Sequence, residues 1–212
     1  MAPLIGINRL RLGTDGHGIT TLVAFHGCPL QCRYCLNPQC HGAKFKERSP
    51  EEIMAVLRKD ELYFIATRGG VTFGGGEPLL YGPFIKEILD LGASAWNVTL
   101  ETSLNVERKI WEPLIPHVNL YLIDIKDMNG ETYKRYTGVD NVMMKLNLRY
   151  LISLGLADKI TCRVPLIPDY NDLESQKRSQ NELAKMGIKN IELFTYQKDI
   201  AYERKRKMRV PA

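Results

Sequence analysis

Residues 19–35 read Ile-Thr-Thr-Leu-Val-Ala-Phe-His-Gly-Cys-Pro-Leu-Gln-Cys-Arg-Tyr-Cys, an apolar, β-branched run that empties into a loop with three cysteines. Ile19–Phe25 is nearly continuous in apolar character, as expected of a strand covered on both faces. Five later runs serve as strand candidates: Gly70–Phe73, Trp96–Leu100, Leu120–Asp124, Ile160–Leu166 and Asn190–Phe194. Helix-like segments separate them. Ser49-Pro50-Glu51-Glu52 supplies an N-cap, a proline at the first helical position and a carboxylate three residues after the cap, ahead of the stripe Ile53, Val56 and Leu57. Pro83–Leu91 stops at Gly92, Asn141–Leu154 at Gly155 and Leu173–Met186 at Gly187. In the second of these, Val142, Met143, Leu146, Tyr150 and Leu154 are expected on one apolar face. Strand–helix alternation predicts a parallel sheet with right-handed crossovers. Six units are two short of a closed eight-stranded barrel, which takes about 250 residues. The expected fold is therefore α/β, a partial, open (β/α)6 barrel of the TIM type. One domain is expected over residues 1–200, with a basic tail over 201–212.

Composition narrows the function classes. The 212 residues are 44% hydrophobic and 25% charged, ordinary globular values that exclude a disordered chain. No apolar run approaches the roughly 18–20 residues of a membrane-spanning helix, so no membrane association is expected. The opening residues lack the charged-then-apolar pattern of a secretory signal. The net charge is +5, but +4 of it falls in residues 201–212. That makes the excess a tail property and removes the argument for nucleic-acid binding. Cys28, Cys32, Cys35 and Cys40 crowd one segment while Cys162 stands alone. An odd, clustered set does not read as a disulfide framework; it fits metal binding in a reducing compartment, and the cytoplasm is expected.

Chemistry in such sheets sits beyond the carboxyl ends of the strands. After the first strand, Cys28, Cys32 and Cys35 could hold three irons of a cubane cluster and leave the fourth open. A structural zinc site that also uses Cys40 is the alternative. After the second, Gly69-Gly-Val-Thr-Phe-Gly-Gly-Gly-Glu77-Pro78 either turns the chain tightly or lets a ligand approach the backbone. It lacks the spacing of a phosphate-binding P-loop. Glu77 could accept a ligand ammonium. Glu101-Thr102 closes the third strand. Asp124 and Lys126, two apart and on one side, close the fourth. That pair either binds a zwitterionic or hydroxyl-bearing ligand or forms an ion pair at the rim. Arg163, inside an apolar strand, either points into the barrel mouth or pairs with a carboxylate. The four histidines show no metal-binding spacing; His26 alone adjoins the cysteine loop.

In combination and order these segments resemble the radical S-adenosylmethionine superfamily, and more narrowly activating enzymes of glycyl radical enzymes, of the pyruvate formate-lyase activase type. The resemblance runs from about Asp15 to Tyr196. It rests on Asp15-Gly-His-Gly-Ile19, Cys28-x3-Cys32-x-Tyr34-Cys35, Gly75-Gly76-Glu77-Pro78, Asp124-Ile-Lys126, Tyr136-Thr-Gly-Val-Asp-Asn141 and Arg163-Val-Pro-Leu-Ile-Pro-Asp-Tyr-Asn-Asp172. It implies a [4Fe-4S] cluster on Cys28, Cys32 and Cys35, whose open iron binds S-adenosylmethionine. Gly75, Gly76 and Glu77 would meet the methionyl ammonium, Asp124 and Lys126 the ribose or carboxylate, and Tyr34 the adenine. Thr102 and Arg163 are further candidate cofactor contacts, and Asp15 and Arg163 candidate substrate contacts. A monovalent cation, Na+ or K+, would sit near Glu101, Thr102 and Asp124. The implied reaction is reductive cleavage of S-adenosylmethionine to methionine and a 5′-deoxyadenosyl radical, which takes hydrogen from a glycine of a partner glycyl radical enzyme. A flavodoxin or ferredoxin would supply the electron, and the basic tail, outside the catalytic core, would help dock an acidic donor.

Three departures from the family pattern stand out: His17 for proline, Ser103-Leu104 where Asn-Gly would follow Thr102, and Gln197 for histidine. Cys40 and Cys162 are too isolated to build a second cluster and are read as non-ligands. Two alternatives accompany this reading: a radical S-adenosylmethionine enzyme acting on a small molecule or peptide, and a zinc-stabilised nucleic-acid-binding protein.

Overall fold

The structure is a computed structural model and describes residues 1–93 and 95–196. Gln197 and the basic tail lie outside the described residues. Eight strands form one sheet: β1 (Ala2–Leu12), β2 (Ile19–Phe25), β3 (Lys46–Arg48), β4 (Gly70–Gly75), β5 (Asn97–Thr102), β6 (Leu120–Asp124), β7 (Ile160–Leu166) and β8 (Asn190–Thr195). Their spatial order is β3-β1-β2-β4-β5-β6-β7-β8. From β2 to β8 the strands run parallel and in chain order, the six expected units. No pairing joins β8 to β3 among the described residues, so the barrel is open. No helix among them is long and apolar enough to cross a membrane.

The antiparallel extension by β1 and β3 is the feature the strand search passed over. In β1, register shifts between Leu4 and Gly6 and between Asn8 and Arg11 break the alternation of inward and outward side chains. Leu10 takes φ +56° at the second of them. A bulged strand presents no clean period of two. The three residues of β3 are all charged, which blunts the sheet edge against further pairing.

The crossover helices are α1 (Pro50–Leu57), α2 (Glu61–Thr67), α3 (Gly82–Asp90), α4 (Arg108–Trp111), α5 (Gly130–Thr137), α6 (Val142–Ser153) and α7 (Leu173–Lys185). The capping box at α1 is complete: the Ser49 hydroxyl accepts from the Glu52 amide, and the Ser49 amide donates to the Glu52 carboxylate at 2.8 Å. On α6 the expected apolar face is wrong. Met144, Leu148 and Leu151 are buried, whereas Val142 and Leu146 are each 59% exposed. Asn147 explains the inversion, for its amide donates to the Leu104 and Val106 carbonyls at 2.9 and 2.8 Å and so belongs in the core. A polar residue satisfied inside rotates the helix away from its most apolar stripe.

One half-buried ion pair ties the antiparallel extension to the barrel. Asp60, fully buried, accepts Arg9 at 2.5 Å and the Thr21 hydroxyl at 2.7 Å. Burial pushes the Asp60 carboxyl up, but Arg9 and Thr21 outweigh it and leave its pKa lowered. Stability from this pair is therefore full above the ordinary carboxylate range and lost as pH falls through the lowered value. Asp60→Asn is expected to cost about 2 kcal/mol in urea unfolding at pH 7. The gap to the parent should shrink as the pH falls below about 4.

Candidate active site

The loops after β2, β4, β5 and β6 converge on one cavity at the carboxyl ends of the strands. Cys28, Cys32 and Cys35 line one wall; Gly75, Gly76 and Glu77 a second; Glu101, Thr102 and Ser103, with Asp124 and Lys126, close the rest. Tyr196, at the exit of β8, completes it. Most of the candidate residues are thus brought together. Tyr34, Asp15 and Arg163 stand apart.

The cysteine loop is stitched down by main-chain bonds. The Gly76 amide donates to Phe25, the Glu77 amide to Gly27 and the Gly27 amide to Cys40, at 2.8–2.9 Å. Asn37 reaches the Gly75 carbonyl at 3.0 Å. From α5 and its exit, the Tyr136 and Thr137 carbonyls accept the Arg33 and Gln31 amides. The glycine turn is obligatory here: Gly75 has φ +91°, and a Cβ on Gly76 would lie 2.2 Å from the Gly27 carbonyl oxygen. Gly76→Ala is expected to lower stability by roughly 1–3 kcal/mol and to reduce the iron retained after anaerobic reconstitution, read by iron analysis.

Burial pushes the Cys28 thiol up, with Glu77 adding to the effect, and pushes Cys32 up to about 11 against the opposing pull of Lys126. A metal group binding here displaces these protons. Three sulfurs from one loop, facing a cavity rather than a point, suit a polynuclear thiolate group. Among the described residues no three His, Cys, Asp or Glu side chains close round a single ion, as structural zinc requires. The donor set therefore fits an iron–sulfur cluster. Cys40 does not line the cavity; it is buried, and the nearby Cys35 side chain together with burial pushes its thiol up. Its isolation in sequence is not isolation in space.

Glu77 is fully engaged. One carboxylate oxygen accepts the Leu79 amide at 3.2 Å and the Thr102 hydroxyl at 2.5 Å. The other accepts the Ser103 amide at 2.9 Å and its hydroxyl at 2.6 Å. Its pKa is raised because burial outweighs these donors. With both oxygens doubly bonded, the carboxylate clamps the turn after β4 to the exit of β5, and a ligand ammonium would have to displace a donor. Ser103, which the sequence marked only as a departure, supplies half of that clamp.

Lys126 is buried with a left-handed backbone, φ +61°. Its ammonium donates to Asp124 at 2.8 Å and to the Tyr196 hydroxyl at 2.9 Å. Burial would lower the Lys126 pKa, but Asp124, with the neighbouring tyrosines and Cys32, outweighs it and leaves it raised well above the ordinary lysine value. Glu101 is pushed up to about 7 by burial and by Asp124, with Arg163 pulling the other way. Arg163 is the ion-paired residue that its strand context allowed: it donates to Glu101 at 2.9 Å, to Glu192 at 3.3 Å and to the Thr14 carbonyl at 2.9 Å. It thereby holds the Asp15-Gly-His-Gly loop inside the barrel. Asp15 is itself paired with Arg11, and Glu101, Asp15 and Arg11 share a second, open groove of about 610 Å³. Tyr34 is half-buried outside the cavity, its hydroxyl on Asp169 at 2.8 Å and its ring among Tyr136 and Tyr170. His26 does not line the cavity; its Nε2 hydrogen-bonds the Gly42 carbonyl at 2.7 Å.

Comparisons agree with this geometry. A family model described as "Radical SAM superfamily" matches residues 22–176. A pyruvate formate-lyase-activating enzyme of Clostridium pasteurianum is 34% identical over 185 residues, 86% of this chain and 77% of that protein. An indoleacetate decarboxylase activating enzyme of Tractidigestivibacter scatoligenes is 32% identical over 168 residues, covering 75% of this chain but only 53% of the relative. Among solved structures, Streptococcus suis SuiB bound to precursor peptide SuiA superposes with a TM-score of 0.66 at 15% identity, over 83% of this chain and 38% of that one. That last likeness is one of fold.

Proposed function

This chain belongs to the radical S-adenosylmethionine superfamily, and from that premise we propose that it is an activase that installs a glycyl radical in a partner enzyme. The observation that carries the proposal is identity above 30% to activating enzymes across most of the chain.

The family implies a [4Fe-4S] cluster with S-adenosylmethionine, which when bound would supply the electron for reductive cleavage of the sulfonium and the radical that takes hydrogen from the substrate. Cys28, Cys32 and Cys35 would hold it. The chain's own residues then orient and enclose. Gly75 and Gly76 let main-chain atoms approach the methionyl end, while Glu77 fixes that turn through Thr102 and Ser103. Lys126, held by Asp124 and Tyr196, offers a fixed cation to a carboxylate or hydroxyls. A monovalent cation near Glu101, Thr102 and Asp124 is part of the proposal, because it would offset the burial and the Asp124 charge that together lift Glu101 to about 7. The groove that Glu101 and Asp15 share with Ile5–Asn8 of β1 suits an extended peptide segment. A flavodoxin or ferredoxin is the proposed electron donor.

The test is anaerobic. Cluster-loaded protein with dithionite and S-adenosylmethionine should form 5′-deoxyadenosine and, mixed with candidate glycyl radical enzymes, a glycine-centred doublet by electron paramagnetic resonance. A loaded cluster without 5′-deoxyadenosine would overturn the enzymatic reading. Cleavage without a doublet in any candidate would move the reading to a small-molecule or peptide substrate.

A further inference from the structure

Strand β1 borders two grooves. One is the groove with Asp15 and Glu101 described above. The other, of about 530 Å³, lies between β1, β3 and α1, and its lining sets Arg9, Lys44, Lys46 and Arg48 against a single carboxylate, Glu52. Glu47, between Lys46 and Arg48, does not line it. Arg48 is paired with Glu52 at 3.1 Å, and Arg9 with the buried Asp60. Lys44 and Lys46 are exposed and have no ion-pair partner among the described residues, so the groove keeps their two positive charges as a surplus. The two grooves meet at Gly6: Ile5, Gly6 and Ile7 line both. Gly6 is exposed, and no atom lies within 4 Å of where its Cβ would stand. Neither a positive φ nor a close approach demands glycine there, so the fold itself does not need the missing side chain. Between two isoleucines, the divide at Gly6 is backbone alone. The chain leading into β3 is fastened beside the cysteine loop, for Phe45 packs on His26 with ring centroids 4.9 Å apart, and the His26 amide donates to the Pro3 carbonyl at 2.9 Å.

We propose that the two grooves form one track across β1 at Gly6, and that it takes an extended segment of the partner protein with acidic residues a short way along the chain from the reacting glycine. The glycine lies on the side of Asp15 and Glu101, and the carboxylates meet Lys44 and Lys46. Exposed charge pairs add little affinity each, but they select partners by charge and do so outside the cavity where the chemistry occurs. Continuity decides the occupant: the basic groove runs into the one assigned to the substrate peptide, which favours the glycine-bearing partner over the electron donor. The inference rests on that peptide-groove reading.

The experiment measures binding rather than turnover. Fluorescein-labelled peptides with a central glycine, identical except for an Asp-Asp or a Ser-Ser pair set at increasing spacing on either side, are mixed anaerobically with cluster-loaded protein and S-adenosylmethionine and followed by anisotropy. At one spacing the Asp-Asp peptide should bind about fivefold tighter than its Ser-Ser counterpart at low salt, and the advantage should fade as salt screens it. The double variant Lys44→Gln with Lys46→Gln should lose the advantage and keep the Ser-Ser affinity. Gly6→Phe, whose Cβ meets nothing within 4 Å, should fold, as circular dichroism checks, and bind the Asp-Asp peptide no better than the Ser-Ser one. Equal affinities at every spacing, or an advantage that survives the double variant, would overturn the inference; if that variant instead loses affinity for a flavodoxin, the groove serves the electron donor. A folded Gly6→Phe that binds the Asp-Asp peptide as the parent does would separate the two grooves and overturn it too. Failure of both peptides to bind, with the cluster loaded, would overturn the peptide-groove reading along with the inference, an outcome distinct from equal binding.

Discussion

Replacing Cys28, Cys32 or Cys35 singly with alanine is expected to reduce 5′-deoxyadenosine formation by more than about 10⁴-fold, to background, since the one-electron chemistry belongs to the cofactor and not to any side chain. Each substitution removes one of three sulfurs that face the cavity, and no neighbour can take its place. Cys40 lies outside the cavity lining, while Cys162 is fully buried on β7 opposite Ile123. Glu77, the carboxylate beside Cys28, already has both oxygens engaged. Folding should survive. The loop is held by main-chain bonds at Gly27, Gln31 and Arg33, none of which uses a cysteine side chain. The measurements are iron and sulfide per chain, the charge-transfer absorption, product formation and circular dichroism. A folded Cys→Ala variant that retained a full four-iron cluster and cleaved S-adenosylmethionine would show that a different set of sulfurs does the work.

The parts of this protein that were readable in advance are those whose physics is local. Ile19–Phe25, Leu120–Asp124 and Ile160–Leu166 are strands with the bounds read from sequence, because a strand covered on both faces needs only an unbroken apolar run. Ser49 and Glu52 could be paired from three residues of spacing alone. What escaped depends on partners distant in sequence. The long first strand hides because its bulges interrupt the alternation. The buried face of α6 hides because Asn147 finds carbonyls more than forty residues away in the chain. At the site, cysteine and glycine motifs announce themselves by residue type, whereas Ser103 acquires its role only when the exits of β4 and β5 lie side by side in the sheet. Arg163 marks the boundary between the two kinds. Its need for a partner was legible, but which carboxylates answer it was not: register sets Glu192 opposite it on β8, whereas Glu101 reaches it from β5, past the adjacent Asp124 that Lys126 holds.

The same side-by-side exits give the second large effect. Glu77→Gln is expected to destabilise the protein by about 3 kcal/mol and to weaken S-adenosylmethionine binding, because a neutral amide offers one acceptor oxygen where four donors converge. On one side of the amide, an N–H group would face the Ser103 or Thr102 donors and leave buried polar groups unpaired. Ser103→Ala removes a single hydroxyl and should cost about 1–2 kcal/mol. If the carboxylate is a clamp, the two losses overlap, and the double variant should fall short of their sum by about 1 kcal/mol or more. Chemical unfolding of the four proteins without cofactor measures that coupling directly. If Glu77 instead acts mainly on a ligand ammonium, Glu77→Gln would lose affinity with little change in unfolding, and the coupling to Ser103 would vanish. The two outcomes separate a carboxylate that shapes the glycine rim from one that touches what the rim binds. The four donors already on its oxygens favour the first.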